Sequence, residues 1–533
     1  ASLMVEFSGD GETVRARLGQ LGRARILWEP QEQSAMWQVR RSSIARALRI
    51  GAHAPGSDPR PLPFVEDPAV PPARMASFAA EAKRLLDSEQ VPAVWYGHAS
   101  VGCLHNRPLI DLRESSAPAM VRRIAEGMAD LVVGHDGALS GEHGDGRARS
   151  ELLPMMYPPD TIAAFGELKS RLDPDGLLNP GVLVDPEPLD SGLRLLASPP
   201  RRARPTAMSF AGEGGLARAG EACNGNGACR SASGLMCPSY QALGDERHST
   251  RGRAVQLRAA IEGRLPGGLA DPGLHEALDL CLSCKGCATA CPAEVDMARL
   301  KVEALAERRR SVGLPLRAHL VGHSRLALSL ASLTPPVSGR VAQLASRALR
   351  RSLPRPRRRW RPQSTPSARP THAVLADTFT KYLEPHVGDS ALSALGAAGA
   401  AVEIADAGCC GRPLLSAGLV PEARRVALRL LGRLAPRAIA GTRIVVLEPS
   451  CWSMLVDDVP KLIPDDPRAA WVAEATATFE RALLDLDPTP APADAEGVVR
   501  HAHCHSRSIG SGGELEALLT VLGVESTDTG AGC

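Results

Sequence analysis

Twelve residues constrain this chain more than any other stretch: Cys281-Leu-Ser-Cys284-Lys-Gly-Cys287-Ala-Thr-Ala-Cys291-Pro292. The spacing C-x2-C-x2-C-x3-C-P is that of a bacterial two-cluster ferredoxin run, in which tight turns aim three thiolates at one 4Fe-4S cube and the cysteine before proline ligates the neighbouring one. An earlier run, Cys223, Cys229 and Cys237-Pro238, has the same ending but carries Asn226 where its second cysteine would fall. With the ligand exchange, Cys281, Cys284, Cys287 and Cys237 hold one cluster. Cys223, Cys229 and Cys291 hold the other, which is left one thiolate short. Zinc sites lack the terminal C-x3-C-P, and a 533-residue chain does not need disulfide staples, so both alternatives are weaker.

The length predicts three or four domains. A formal net charge of +3 over 62 basic and 59 acidic residues gives no general attraction to nucleic acid. No apolar run reaches membrane-spanning length, and thiols kept at metal spacing suit a reducing compartment. The expected location is therefore the cytoplasm, with a peripheral position at the inner membrane face left open. Opening without methionine and stopping in Gly-Ala-Gly-Cys533, the chain reads as a fragment.

Residues 2 to 7 alternate like a strand, Glu12 to Leu21 has helical spacing, and a second helix is expected to carry Trp37, Arg40, Ile44 and Leu48 on one side. Around Gly102, apolar runs flanking a small-residue turn predict a hairpin. A turn centred on Val101 and Gly102 would set His98 opposite His105, close enough to share one metal ion. Two histidines hydrogen-bonded in a sheet is the blander alternative. After a helical stretch from Ala117 to Leu131 comes Gly134-His-Asp-Gly137-Ala-Leu-Ser-Gly141-Glu142-His143-Gly144-Asp145-Gly146, whose glycines let backbone approach a ligand and free Glu142 and His143 to project differently. Two turns then close the region at Asn179-Pro180-Gly181.

Gly97-His98 to His105, Gly141 to Gly146 and Asn179-Pro180-Gly181 together resemble the C-terminal half of FAD-linked oxidases, in the branch of the D-2-hydroxy-acid dehydrogenases. The resemblance covers residues 1 to about 186. It implies a substrate-capping α+β domain whose FAD-binding partner precedes it. It also implies that His98, His105 and Glu142 hold a divalent metal (Zn or Mn), that His143 is the catalytic base, that Arg40 clamps the substrate carboxylate, and that Asn179 and Gly181 belong to the cofactor side. Relatives commonly carry asparagine where Arg107 stands. One pleat beyond His105 on the same face, Arg107 could reach a second carboxylate or be a solvated strand-end charge.

The expected architecture is thus multidomain. An FAD-linked oxidase cap domain (1–186) and a linker (187–215) precede an α-helical two-cluster ferredoxin domain (216–330). A basic proline-rich linker (331–371) then leads to an α/β region (372–533). In that last region Cys409-Cys410-Gly411, Cys451, Cys504 and Cys533 resemble the cysteine-rich CCG domain of heterodisulfide reductases, though a cysteine is missing near Asp377. A metal or cluster is expected there. The parts compose one circuit: oxidation of a D-2-hydroxy acid by FAD, with electrons leaving singly through clusters to an external quinone or electron-transfer protein. Substrate choice inclines to D-2-hydroxyglutarate, with D-lactate or glycolate as alternatives. A pure electron-transfer subunit and a heterodisulfide-reductase-like thiol enzyme are the rivals. Homo-oligomerisation is left open.

Overall fold

The computed structural model describes residues 4–6, 10–20, 25–47, 59–193, 205–349, 354–361, 369–489 and 498–530. Cys533 and Leu48 lie outside them, as do the ends of the expected strand over 2–7; its described part, 4–6, is irregular.

Helices Gly11–Gly19 and Pro30–Ala47 form as their spacing predicts, the first capped by Asp10 accepting from the Glu12 and Thr13 amides. Trp37 nonetheless stays 40% exposed, so the second helix does not bury it. The cap then builds a three-stranded antiparallel sheet in the order β1 (Arg60–Pro61), β3 (Cys103–Ile110), β2 (Ala93–His98). Helices Met75–Ser88 and Ala117–Gly134 bury Phe78, Ala82, Leu86, Ile124 and Met128 in a core that belongs to the cap alone.

The iron–sulfur region is short helices strung between the cysteine turns. Helix Thr250–Ile261 and helix Met297–Ser311 supply its apolar centre through Leu257, Leu300 and Val302. The C-terminal region is a parallel sheet in the order β5 (Val402–Ala405), β4 (His372–Leu375), β6 (Arg443–Val446), β7 (Thr476–Thr478). β4 is buried throughout, as expected of a parallel strand covered on both faces. Strands β8 (Val498–Arg500) and β9 (Ser526–Asp528) form a separate parallel pair.

Neither expected linker is only a linker. In 205–215, Met208 and Phe210 are buried, the Ala207 and Met208 amides donate to Glu303, and the Ser209 amide donates to the Lys461 carbonyl. In 331–371, helix Pro335–Leu349 forms, and Trp360 is buried with its indole donating to Asp389. Apolar side chains among the arginines and prolines drive this docking. One continuous core therefore runs from Leu257 and Leu300 through Leu414 and Leu419 to Leu430 and Val472, joining the iron–sulfur module to the C-terminal domain.

Candidate functional site

The hairpin turns over Ala99–Val101 and closes at Gly102, whose φ of 71° is left-handed. An added Cβ there would run into the Val70 carbonyl, so glycine is required twice over. The register sets His105 opposite Tyr96 and His98 opposite Cys103, two residues from the expected pairing. Because side chains alternate with period two, His98 and His105 still share a face, now diagonally, with ring centroids 5.4 Å apart.

The loop bearing Glu142 and His143 is fixed by Asp67, a fully buried residue that the sequence pattern does not single out. Its carboxylate accepts from the Ser140 hydroxyl at 2.5 Å and from the Glu142 and His143 amides at 3.2 and 2.9 Å. Burial opposes its charge, but these three donors outweigh burial and hold the carboxyl below its ordinary range. Gly141 fits because a side chain would press on Ala69 and on the Cys103 thiol. Burial, followed by the Asp67 charge, pushes that thiol up to about 12, so Cys103 stays protonated and is a poor metal ligand.

One oxygen, Glu142 Oε1, gathers three imidazoles: His105 Nε2 at 3.0 Å, His143 Nε2 at 3.4 Å and His98 Nε2 at 3.5 Å. Ligand bonds of about 2.1 Å in tetrahedral array put neighbouring donor atoms about 3.4 Å apart, close to the spacing of each imidazole from Glu142 Oε1. His105 Nδ1 meets the Glu66 carbonyl at 2.5 Å, which places its proton there and leaves Nε2 bare for a metal. Asp67, His105, Glu142 and His143 each offer a ligand atom within 4.8 Å of the others. His143 therefore falls within this group, which does not include the expected ligand His98.

His98, His105, Glu142 and His143 line a cavity of about 530 Å³ with Arg40 and Arg107. Arg40 lies over Tyr96 at 5.5 Å. Arg107 faces the same cavity as His105, as the pleat predicts, but it is not a solvated strand-end charge. It pairs with Glu66 at 2.5 Å and donates from Nε to the Tyr96 hydroxyl at 2.9 Å. Glu66, also unforeseen, is 3.7 Å from His143 Nδ1 through its other oxygen. Asn179 and Gly181 do not line the cavity; they sit on a positive-φ turn after helix Pro159–Leu172, where the Gly181 carbonyl accepts from the Glu187 amide and Glu187 pairs with the cavity residue Arg147.

The exchanged ligand set comes together: Cys237, Cys281, Cys284 and Cys287 line one cavity with Thr250 and Arg253. In this set the Thr250 amide donates to Cys237 Sγ at 2.9 Å, and in the other the Arg251 amide donates to Cys229 Sγ at 3.3 Å, bonds that suit both thiols to a cluster. Both donors are at the start of helix Thr250–Ile261, whose dipole favours thiolate charge. Cys223 instead faces a crevice of about 300 Å³ between cap and module, which also includes Arg60 and Arg107. Asn226 is exposed and spends its amide within its own turn, donating to Asn224 and accepting from the Ala228 amide. In the C-terminal domain Cys410 Sγ and Cys451 Sγ lie 3.0 Å apart, with Cys409 adjoining. Cys504 opens helix Cys504–Ile509, which packs on helix Pro449–Ser453, the helix that bears Cys451. Asp377, where a cysteine is missing, is buried and caps helix Thr378–Tyr382.

Residues 1–183 match the family described as FAD linked oxidases, C-terminal domain, and residues 219–295 match the 4Fe-4S dicluster domain. The chain joins an FAD-linked oxidase C-terminal domain to a 4Fe-4S domain. It is 30% identical to D-2-hydroxyglutarate dehydrogenase of Escherichia coli K12 over 60% of this chain and 36% of that protein. Against D-2-hydroxyglutarate dehydrogenase of Pseudomonas putida it is 28% identical over 73% of this chain and 44% of the relative. A probable mitochondrial D-lactate dehydrogenase of Danio rerio is 27% identical over 34% of this chain and 37% of its own length. The chain thus spans less than half the length of these curated relatives. Among the described residues no helix is long and apolar enough to cross a membrane.

Proposed function

We propose that this chain carries the substrate site and the electron relay of an FAD-linked dehydrogenase that oxidises a D-2-hydroxy acid, D-2-hydroxyglutarate in particular. The observation that carries the reading is the convergence of three imidazoles on Glu142 beside two arginines, in a chain that also holds a 4Fe-4S domain. Zinc or manganese held by His98, His105 and Glu142 would supply Lewis-acid polarisation of the substrate hydroxyl, and bound FAD the hydride acceptor. Arg40 holds the C1 carboxylate, bidentately as a guanidinium favours. The hydroxyl proton goes to His143, whose Nδ1 side faces the Glu66 and Asp67 carboxylates at 3.7 and 3.8 Å. Asn179 and Gly181 serve the flavin side. The two cysteine sets would hold clusters, which would supply one-electron transfer toward an external acceptor, and Cys409, Cys410, Cys451 and Cys504 would hold a metal or cluster.

Arg107 is the group available for a distal carboxylate. Its existing pair with Glu66 favours the second reading, a monocarboxylate such as D-lactate, since a substrate anion must compete with a carboxylate already in place. Steady-state kinetics of the flavin-loaded protein on both acids test the choice. Arg107→Met is expected to cost about 1.5 to 3 kcal/mol in kcat/KM for D-2-hydroxyglutarate and much less for D-lactate. Equal losses, or a parent enzyme that prefers D-lactate, would overturn the dicarboxylate assignment.

A further inference from the structure

The loop between Cys281 and Cys287 is held from outside its own domain. Lys285, directly after Cys284 and two residues before Cys287, is only 3% exposed and has a φ of 64°. An ammonium buried so deeply is costly unless paired, and left-handed backbone is strained for a residue with a Cβ. Both costs are met by the C-terminal domain. Lys285 Nζ donates to Asp457 at 2.6 Å and to Asp458 at 2.7 Å. Asp458 also receives Arg412 at 2.7 Å, and Asp457 receives Lys461. Arg412 Nη2 and His505 Nε2 reach the Ser283 carbonyl at 3.3 and 3.1 Å, while the Ser508 hydroxyl donates to the Cys284 carbonyl at 2.7 Å. His505 is neutral, because burial and then Arg412 and Lys285 push it down to about 3.

The origin of these partners matters as much as their number. Arg412 follows Cys409-Cys410-Gly411, Asp457 and Asp458 follow Cys451 by little more than a turn, and His505 and Ser508 share a helix with Cys504. Residues that follow each described C-terminal cysteine in sequence thus grip the same three residues, Ser283 to Lys285. The Cys223 run has other neighbours, among them Arg251, which donates to the Gly225 carbonyl, and the cap crevice.

We infer that the Lys285 ion network is a positioning device through which the C-terminal domain sets the reduction potential of the Cys237, Cys281, Cys284 and Cys287 site. That site is thereby the one turned toward the C-terminal cysteines. The inference rests on the reading that these four cysteines hold a cluster. Reduction adds one negative charge to the site, so a fixed cation beside it favours the reduced form and a fixed anion disfavours it.

The test is a redox titration, followed by electron paramagnetic resonance, of the full chain reconstituted with iron and sulfide. At the parent midpoint, Lys285→Met should lower the reduced-to-oxidised ratio of this cluster about tenfold, which is 59 mV for one electron. Asp457→Asn should raise the ratio, Lys285→Met with Asp457→Asn should return toward the parent, and Lys285→Arg should hold it. The second cluster should not move. A clamp that acts only by holding the loop would lower occupancy in every variant without opposite shifts. Shifts of one sign, no shift, or equal shifts in both clusters would overturn the inference. Should Lys285→Met fail to assemble a cluster, Asp457→Asn still decides the sign. Absence of any cluster signal in the parent chain would instead overturn the ligand reading on which the inference stands.

Discussion

Asp67 and Glu66 are adjacent carboxylates with separate tasks. Asp67 ties the Glu142 and His143 amides and the Ser140 hydroxyl to the sheet, so Asp67→Ala leaves three donors without an acceptor in a buried place. Its expected cost is about 2 to 4 kcal/mol, measured by denaturant unfolding, together with weaker zinc or manganese binding by calorimetry. Unchanged metal affinity would show that the loop does not need this anchor. Glu66 pairs with Arg107, and on the proposed function it would compete there with a substrate carboxylate. Glu66→Gln should therefore raise the ratio of kcat/KM for D-2-hydroxyglutarate over D-lactate, by roughly tenfold if about 1.4 kcal/mol of charge pairing is released, even if both rates fall. A ratio that stays put would remove Arg107 from substrate selection.

At the scale of elements, the hairpin is the part on which the site depends most. Gly102→Ala meets both a left-handed φ and the Val70 carbonyl, so a loss above about 2 kcal/mol is expected, accompanied by lost metal binding as His98 and His105 separate. Stability equal to the parent would mean that the turn can re-form elsewhere. The same hairpin shows what the sequence discloses and what it withholds. A period of two survives a register shift of two, so His98 and His105 could be placed on one face while their exact pairing could not. The cysteine runs were legible because cluster geometry is imposed over a few residues. The cavity shared by Cys237 and the second run follows the same rule at longer range. Glu66 and Asp67 were not legible, since Phe64-Val-Glu-Asp-Pro68 carries no local chemistry and gains its role only when β3 and the Gly141 loop fold against it. The two linkers were misjudged for a related reason: proline and arginine dominate their composition, while docking depends on Met208, Phe210 and Trp360.

Across the whole molecule, strong acid should weaken the contact between module and C-terminal domain. Arg309, on helix Met297–Ser311, pairs with Glu422 on helix Val420–Ile439 and lowers its carboxyl to about 2; Asp457 likewise stands at about 2, where Lys285 and Lys461 outweigh burial. Both values are depressed, so their stabilisation is complete above the ordinary carboxylate range near pH 4 and is lost as pH falls through about 2. The parent should exceed Glu422→Gln in denaturant midpoint at pH 5, and the gap should narrow steadily below pH 4. A gap that widens in acid would contradict the assignment.

The common core from Leu300 to Val472 also bears on how such a chain can be inherited. Gene fission in the 330s would split a hydrophobic interior and leave two products that each expose half of it. Between the cap and the module the joining contacts are polar ones, the Arg60 pair with Glu221 and the Arg218 bond to the Pro59 carbonyl, while each side keeps its own interior. A lineage that separates this protein into subunits is therefore expected to break it there, with the cysteine-rich halves travelling together as one open reading frame.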